Sequence, residues 1–276
     1  MPARPYKESE SGVALLAVLL GLIVISVLVL GLVLATRVSI DEAHSNLQTS
    51  RARAWNDAVI LQTAVSLMDT SNSMRPRIDG VPQSVVVLGH NATITITSEF
   101  GKVDLNAADQ GTLTNLLEAA GVGPAIATEE AGQIVNWRNG GSGTTELHPF
   151  RSVEELTQVA GIIDIYGKIA PAITVFSGRG QVDNATAPLL ALEAAGMDAQ
   201  TAQSFIHARD NNENTNSYGE VINGQLQPGT SITGWAFQIQ ADFIFGATPE
   251  HVSAVIRMTG DPTHPYLVLA RNQLPE

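Results

Sequence analysis

Residues 13–35 read VALLAVLLGLIVISVLVLGLVLA, twenty-three positions without a charge, an amide or a proline. At about 1.5 Å of rise per residue they make a helix of roughly 35 Å, enough to cross a hydrocarbon core of about 30 Å. A membrane helix is therefore expected, behind a polar leader at 1–12. The leader carries Arg4 and Lys7 but also Glu8 and Glu10, so the basic asymmetry that orients a span is weak. A basic start and an apolar run also mark secretory signal peptides, whose apolar region is about 7–15 residues long and ends at small residues. This run is longer, and Ala35-Thr36-Arg37-Val38 passes directly into Ile40, Ala43, Leu47, Ala54, Ala58, Leu61, Val65 and Met68. Such spacing is a helical stripe, so one helix of about fifty residues is expected, half in lipid and half outside.

With 276 residues, 44% of them hydrophobic, the chain leaves enough beyond the membrane for one large domain or two small ones. The net charge is −12, and Lys7, Lys102 and Lys168 are the only lysines. That balance argues against nucleic acid and anionic lipid as main partners. No cysteine is present, which excludes disulfides, zinc–thiolate sites and thiol nucleophiles and leaves the compartment open.

Beyond Met68, the cluster Asp69-Thr70-Ser71-Asn72-Ser73, Pro76, Asp79-Gly80 and Pro82 should end the long helix. Two strands are expected next, Ser84-Val85-Val86-Val87-Leu88 and Ala92-Thr93-Ile94-Thr95-Ile96-Thr97, with Gly89-His90-Asn91 as the hairpin turn. From Gly101 the pattern changes. Val103-Asp104-Leu105-Asn106-Ala107 leads into a helix, and Leu117-Glu118-Ala119-Ala120-Gly121 returns later as Leu192-Glu193-Ala194-Ala195-Gly196. Between the copies, Pro149-Phe150-Arg151-Ser152-Val153-Glu154-Glu155-Leu156 reads as a capping box on Ser152 and Glu155, opening a third helix–Gly–helix unit at Gly161. An all-helical block over 101–212 is expected. Strands resume after Tyr218, and Phe237, Ile239, Ala241, Phe243 and Phe245 alternate with polar residues, so one sheet face is buried. The strands before Gly101 are too few to stand alone, which makes the helical block an insertion into a sheet.

Candidate chemistry is sparse. Asp210, Asn212, Asn214 and Glu220 offer hard oxygens on one loop, the ligand type that suits calcium. Their spacing is not that of an EF-hand, since Thr215 replaces the turn Gly, and the same run also reads as a solvated Asn-rich loop. The six histidines are scattered, and no zinc-protease motif, phosphate loop or nucleophile elbow occurs. An enzyme is not expected.

Three family resemblances follow from these residues. The junction Glu10-Ser11-Gly12-Val13-Ala14-Leu15-Leu16 resembles the prepilin class, which implies cleavage after Gly12 by a prepilin peptidase and methylation of Val13. Most members carry Glu at the fifth mature position; here it is Ala17. A carboxylate in lipid is kept only where it meets a partner, so a subunit without one suits the leading end of a filament. The helix–Gly–helix units resemble the helix-hairpin-helix family, which implies a membrane-anchored DNA-uptake protein as the alternative. Pro124-Ala125, Asp164 and Asp198 stand where cations would be needed, and acids at that point repel phosphate.

Taken together, the junction, the long helix, the insertion, Ser177-Gly178-Arg179-Gly180 and the closing Pro265-Tyr266-Leu267-Val268-Leu269 resemble the minor pseudopilin K family of type II secretion. The resemblance implies an α+β, pilin-like fold with a long N-terminal helix, an antiparallel sheet and a large helical insertion. It divides the chain into a leader at 1–12, a membrane helix at 13–36, the pilin helix and first strands at 37–100, the insert at 101–212 and a closing sheet at 213–276. It further implies a non-enzymatic, single-pass protein of the bacterial inner membrane with its soluble part in the periplasm, joined to minor pseudopilins I and J at the pseudopilus tip. Calcium sites in relatives lend support to the Asp210 loop. In the second repeat, Asp183-Asn184 lacks the intervening Leu usual in the family.

Overall fold

The computed structural model describes residues 10–70, 75–140, 147–159, 161–211, 220–245, 248–261 and 263–272. The chain divides into two compact units, 1–55 and 56–276. Helix α1, Glu10–Met68, supplies the first unit and enters the second. It is 59 residues long, somewhat longer than its stripe suggested. It ends at Met68 as expected; of the turn cluster, Ser71, Asn72 and Ser73 lie outside the described residues.

In the second unit α1 buries Val59, Ile60, Ala64 and Leu67 completely, a spacing of three and four that puts them on one face. This is not the expected stripe, because Leu61 and Val65 lie on the opposite face and are exposed. Gln62 donates to the Val86 carbonyl at 2.9 Å, and Asp57 meets Arg271 at 2.7 Å. These partners lie on the two edge strands of the sheet, so this part of the helix crosses the sheet from edge to edge. Arg75 closes its C-terminal end. The guanidinium is 1% exposed, donates to the Leu67 carbonyl and reaches Thr230 at 3.0 Å, satisfying a carbonyl that a helix end leaves orphaned.

The sheet is antiparallel throughout. Strands β1 (Gln83–Val87), β2 (His90–Ser98), β7 (Ala236–Phe245), β8 (Thr248–Met258) and β9 (Tyr266–Asn272) lie in that order. β2 and β7 pair from Ala92↔Phe243 to Ser98↔Phe237, although the helical block lies between them in sequence. The block is thus inserted between two neighbouring strands. Ile94, Ile96, Phe237, Ile239 and Ala241 are buried while Thr93, Thr95, Gln238 and Gln240 are not, which is the period-two pattern of a sheet with one dry face. The hairpin turn differs from expectation. Val87 pairs with His90, so the turn is Leu88-Gly89, both at positive φ (49° and 82°), and His90-Asn91 already belong to β2. A two-residue turn needs that backbone to follow the strand twist, and Leu88 accepts an unusual conformation to supply it.

The insert contains α2 (Gln110–Ala119), α3 (Pro124–Arg138), a 3-10 turn at Val153–Gln158, α4 (Tyr166–Ile169), α5 (Leu189–Ala194) and α6 (Ala199–Asp210). It is not all-helical. Strands β3 (Val103–Asp104) and β4 (Ile173–Thr174) form a two-residue parallel ladder within it, too short to leave a periodic trace in sequence; after the insert, β5 (Val221–Ile222) and β6 (Gln225–Leu226) pair antiparallel over two residues. One hydrophobic core, including Leu105, Leu113, Leu117, Ile134, Leu156 and Leu192, runs through the block.

The two identical pentapeptides adopt one geometry. The Val122 amide donates to the Leu117 carbonyl at 3.0 Å, and the Met197 amide to the Leu192 carbonyl at 3.1 Å. Gly121 and Gly196 lie at φ 97° and 95°. This is the Schellman helix ending, in which a left-handed residue lets the chain turn back on the last carbonyls. Gly161, φ 85°, makes the third turn. The capping box does not form as expected. Ser152 makes no side-chain cap, and Glu155 accepts from the Arg151 amide at 3.0 Å, because a tighter 3-10 turn follows and shifts the free N–H groups by one position.

Candidate functional site

The first candidate is the N-terminal half of α1. Val13–Leu32 has a mean hydropathy of 3.3, and none of it is buried, so it is long and apolar enough to cross a membrane. Val13 and Ala17 are exposed, and no acid occurs from Val13 to Leu32. Gly12 lies within α1. An apolar surface of this size in water would be an aggregation site; it needs lipid or a protein neighbour.

The second is the junction where the insert meets the sheet. Beside it, Asp104 is 1% exposed and staples two stretches of the insert to each other. One carboxylate oxygen accepts from the Asn106 and Ala107 amides at 2.8 and 3.2 Å, the other from the Ser177 hydroxyl at 2.9 Å and the Gly178 amide at 2.7 Å. Asn106 pairs both ways with the Phe150 backbone, at 2.9 and 2.8 Å. The Arg179 guanidinium lies 3.7 Å over the Phe100 ring, which meets Trp235 at 5.1 Å. Three stretches far apart in sequence, around Asp104, Phe150 and Ser177, thereby close on one point. Asp183 plays a lesser part in the second repeat, accepting from the Ala185 amide at 3.1 Å. Asn184 there is exposed where Leu105 is buried, which accounts for the missing Leu.

Next to this staple lies a buried ion pair. Lys102 donates to Glu99 at 2.8 Å and to the Gln238 side chain at 2.7 Å, and Thr174 donates to the other Glu99 oxygen. Gln238 belongs to the sheet and Thr174 to the insert, so the pair ties the two together. Arg257 of β8 adds a bond to the Phe176 carbonyl at 2.6 Å. Apart from the local Lys102–Glu99 pair, these contacts need chain positions more than seventy residues apart, and sequence spacing carries no sign of them.

A third cluster contains Asp210. Arg77 contacts buried Asp79 at 2.5 Å, and Asp210 sits 3.6 Å from Arg77 and 3.8 Å from Arg209. The hydrogen bond to Asp79 raises the Arg77 pKa above its ordinary value, while burial lowers that of Arg209 against the pull of Asp79 and Asp210. The charged neighbours of Asp210 are therefore guanidinium groups. Glu220 is exposed and its backbone carbonyl accepts from the Gln227 amide at 2.9 Å. Asn212 and Asn214 lie outside the described residues. Among the described residues, no three His, Asp or Glu side chains form a group that could hold a metal. Arg75 and Arg77 have no part in the sequence expectations and Asp79 only that of a turn former, although two arginines flanking Pro76 within a turn cluster are a visible oddity.

The hairpin ends bear on anion binding. Asp198 caps α6, accepting from the Thr201 amide at 3.0 Å, and Asp109 caps α2, accepting from the Thr112 amide at 2.7 Å. Those bonds hold both carboxyls below the usual range, led by the side-chain contact with Thr201 and the backbone contact with Thr112. At α6 the chain's own carboxylate occupies the place a phosphate would take.

No family model and no curated protein sequence matches the chain. Among solved structures, it is similar to a chain of the GspK–GspI–GspJ complex from the type 2 secretion system of enterotoxigenic Escherichia coli, with a TM-score of 0.54 and 13% identity. The likeness covers 85% of this chain and 100% of that one. At this identity it speaks for the fold: the chain has the pilin-like α+β architecture of that pseudopilin complex, an apolar N-terminal helix followed by an antiparallel sheet with helices set between its strands.

Proposed function

We propose that this chain is a minor pseudopilin of a type II secretion system, acting without enzymatic chemistry at the tip of the pseudopilus together with minor pseudopilins I and J. The observation that carries the reading is the fold likeness to a member of a GspK–GspI–GspJ complex, complete over that chain. The exposed span Val13–Leu32 supports a single-pass anchor in the inner membrane, with residues 56–276 as the periplasmic part. Ala17 supports the tip position, because a subunit without an acid there cannot pair with the amine of a subunit ahead of it. The width added by the insert would also obstruct a subunit stacked beyond it. Calcium at the Asp210 loop belongs to this proposal only through the family resemblance, and isothermal titration of the full chain tests it.

Prepilin peptidase would cut after Gly12 and methylate Val13. Mass spectrometry of the membrane form is the test. A mature chain beginning at methylated Val13, and a Gly12→Leu variant that keeps its leader, are expected; a wild-type chain retaining residues 1–12 would contradict the reading.

A further inference from the structure

A cavity of about 550 Å³ opens between the polar face of the sheet and the inserted block, within the range of about 300–1,000 Å³ that small ligands occupy. Its sheet side presents Thr95 opposite Gln240 and Thr97 opposite Gln238. Across from them stand Ser152, Tyr166 and Phe176 of the insert. Gln238 uses its side-chain carbonyl to accept from Lys102. The Thr95 hydroxyl, the Gln240 amide and the Ser152 and Tyr166 hydroxyls have no hydrogen-bond partner among the described residues. Burial raises the Tyr166 pKa, with Glu154 adding to it, so its hydroxyl stays a neutral donor.

The lining selects among ligand classes. Lys102 is neutralised by Glu99, and the rim carries one cation, Arg151, and one anion, Glu154, so nothing favours a phosphate or another ion. β2 and β7, which carry the polar lining, have both neighbours in place and offer no free main chain for an added peptide strand; the edge strand β9 contributes only Leu269 and Ala270. What remains are neutral amides and hydroxyls, able both to donate and to accept, beside aliphatic side chains such as Ile173, Val255 and Leu269 and two aromatic rings that can cover C–H surface. That combination matches a hydroxyl-rich neutral molecule.

We propose that this cavity binds a neutral oligosaccharide. The test is titration of the full chain, held in a detergent without a sugar headgroup, with N,N′-diacetylchitobiose, maltotriose and a Gly-Ser-Gln peptide, read by calorimetry and saturation-transfer NMR. Saturable binding of at least one sugar is expected. The acetylated sugar alone would assign an N-acetylhexosamine glycan, and maltotriose alone a plain hexose chain. Gln240→Leu should weaken binding by about tenfold, the equivalent of about one net hydrogen bond. Tyr166→Phe, which removes a single oxygen and keeps the ring, should weaken it by several-fold and serves as the readout should Gln240→Leu not fold. Failure of both sugars to saturate, wild-type affinity in the folded variants, or binding of the peptide alone would overturn the assignment.

Discussion

The span Val13–Leu32 and the unit at 56–276 are joined by one helix yet solve opposite problems. In the span, apolar side chains point outward all round and none is buried; in the unit, α1 hides Val59, Ile60, Thr63, Ala64 and Leu67 and exposes Asp57, Leu61, Gln62 and Val65. A helix that is apolar on every side needs an apolar surrounding, whereas a stripe needs one packed partner. Local backbone structure is the same in both cases. The difference lies wholly in which solvent each half was selected for, and substitutions should therefore separate membrane partition from folding stability.

The largest effect is expected at Asp104, whose carboxylate holds four donors in a buried junction. Bonds to a charged group contribute about 1.5–3 kcal/mol each and do not add in full, so Asp104→Ala should cost the 56–276 unit at least about 3 kcal/mol. Denaturant unfolding should register the loss with membrane extraction unchanged. Val24→Asp reverses the pattern, since an acid at the centre of a span costs about 2.5–3.5 kcal/mol of insertion. The fraction resisting alkaline extraction should fall while the unfolding midpoint of the unit stays put. A midpoint that moved with Val24 would break the separation.

Smaller effects sharpen the picture inside the packed unit. Gly121 and Gly196 share a sequence context and a positive φ, and a left-handed non-Gly residue costs about 1–2 kcal/mol. Gly121→Ala and Gly196→Ala should each destabilise by that amount, and by similar amounts, in thermal melts. The smallest change concerns Glu130, whose carboxylate is buried against Gly161 and raised above its ordinary pKa, chiefly by burial and secondarily by Glu129. A raised acid favours its neutral form in the fold. Its contribution to stability is full below the unfolded pKa of about 4.3 and is lost as pH rises through the folded value. Glu130→Gln should flatten that decline and raise the melting temperature at neutral pH, measured by melts from pH 4 to 7.

Much of this architecture was legible before any coordinates. The long helix, the alternation at Phe237–Phe243 and the twin helix–Gly–helix copies are periodic or repeated, and periodicity survives in a linear string; the face of α1 that packs was not legible, since Leu61 and Val65 of the expected stripe are exposed and Val59, Ile60, Ala64 and Leu67 are buried instead. Placement of the hairpin turn failed because Leu88 is a poor marker of positive φ, and backbone twist overrode residue preference there. The Asp104 staple, the Lys102–Glu99–Gln238 tie and the Arg77–Asp79–Arg209 cluster were invisible for another reason. Each joins residues whose proximity exists only in the folded unit: the Asp104 staple forms once the insert closes on itself, and the Lys102–Gln238 contact once the insert docks on the sheet. Asp210 illustrates the point: an oxygen-rich local run suggested a cation, while Arg77, distant in sequence, and the adjoining Arg209 supply positive charge beside it.

The most direct test of the central claim is co-expression of the full chain with minor pseudopilins I and J from the same cell, followed by detergent extraction and size-exclusion chromatography with native mass spectrometry. A single peak containing all three subunits is predicted. Elution of this chain alone, with I and J pairing without it, would contradict the account.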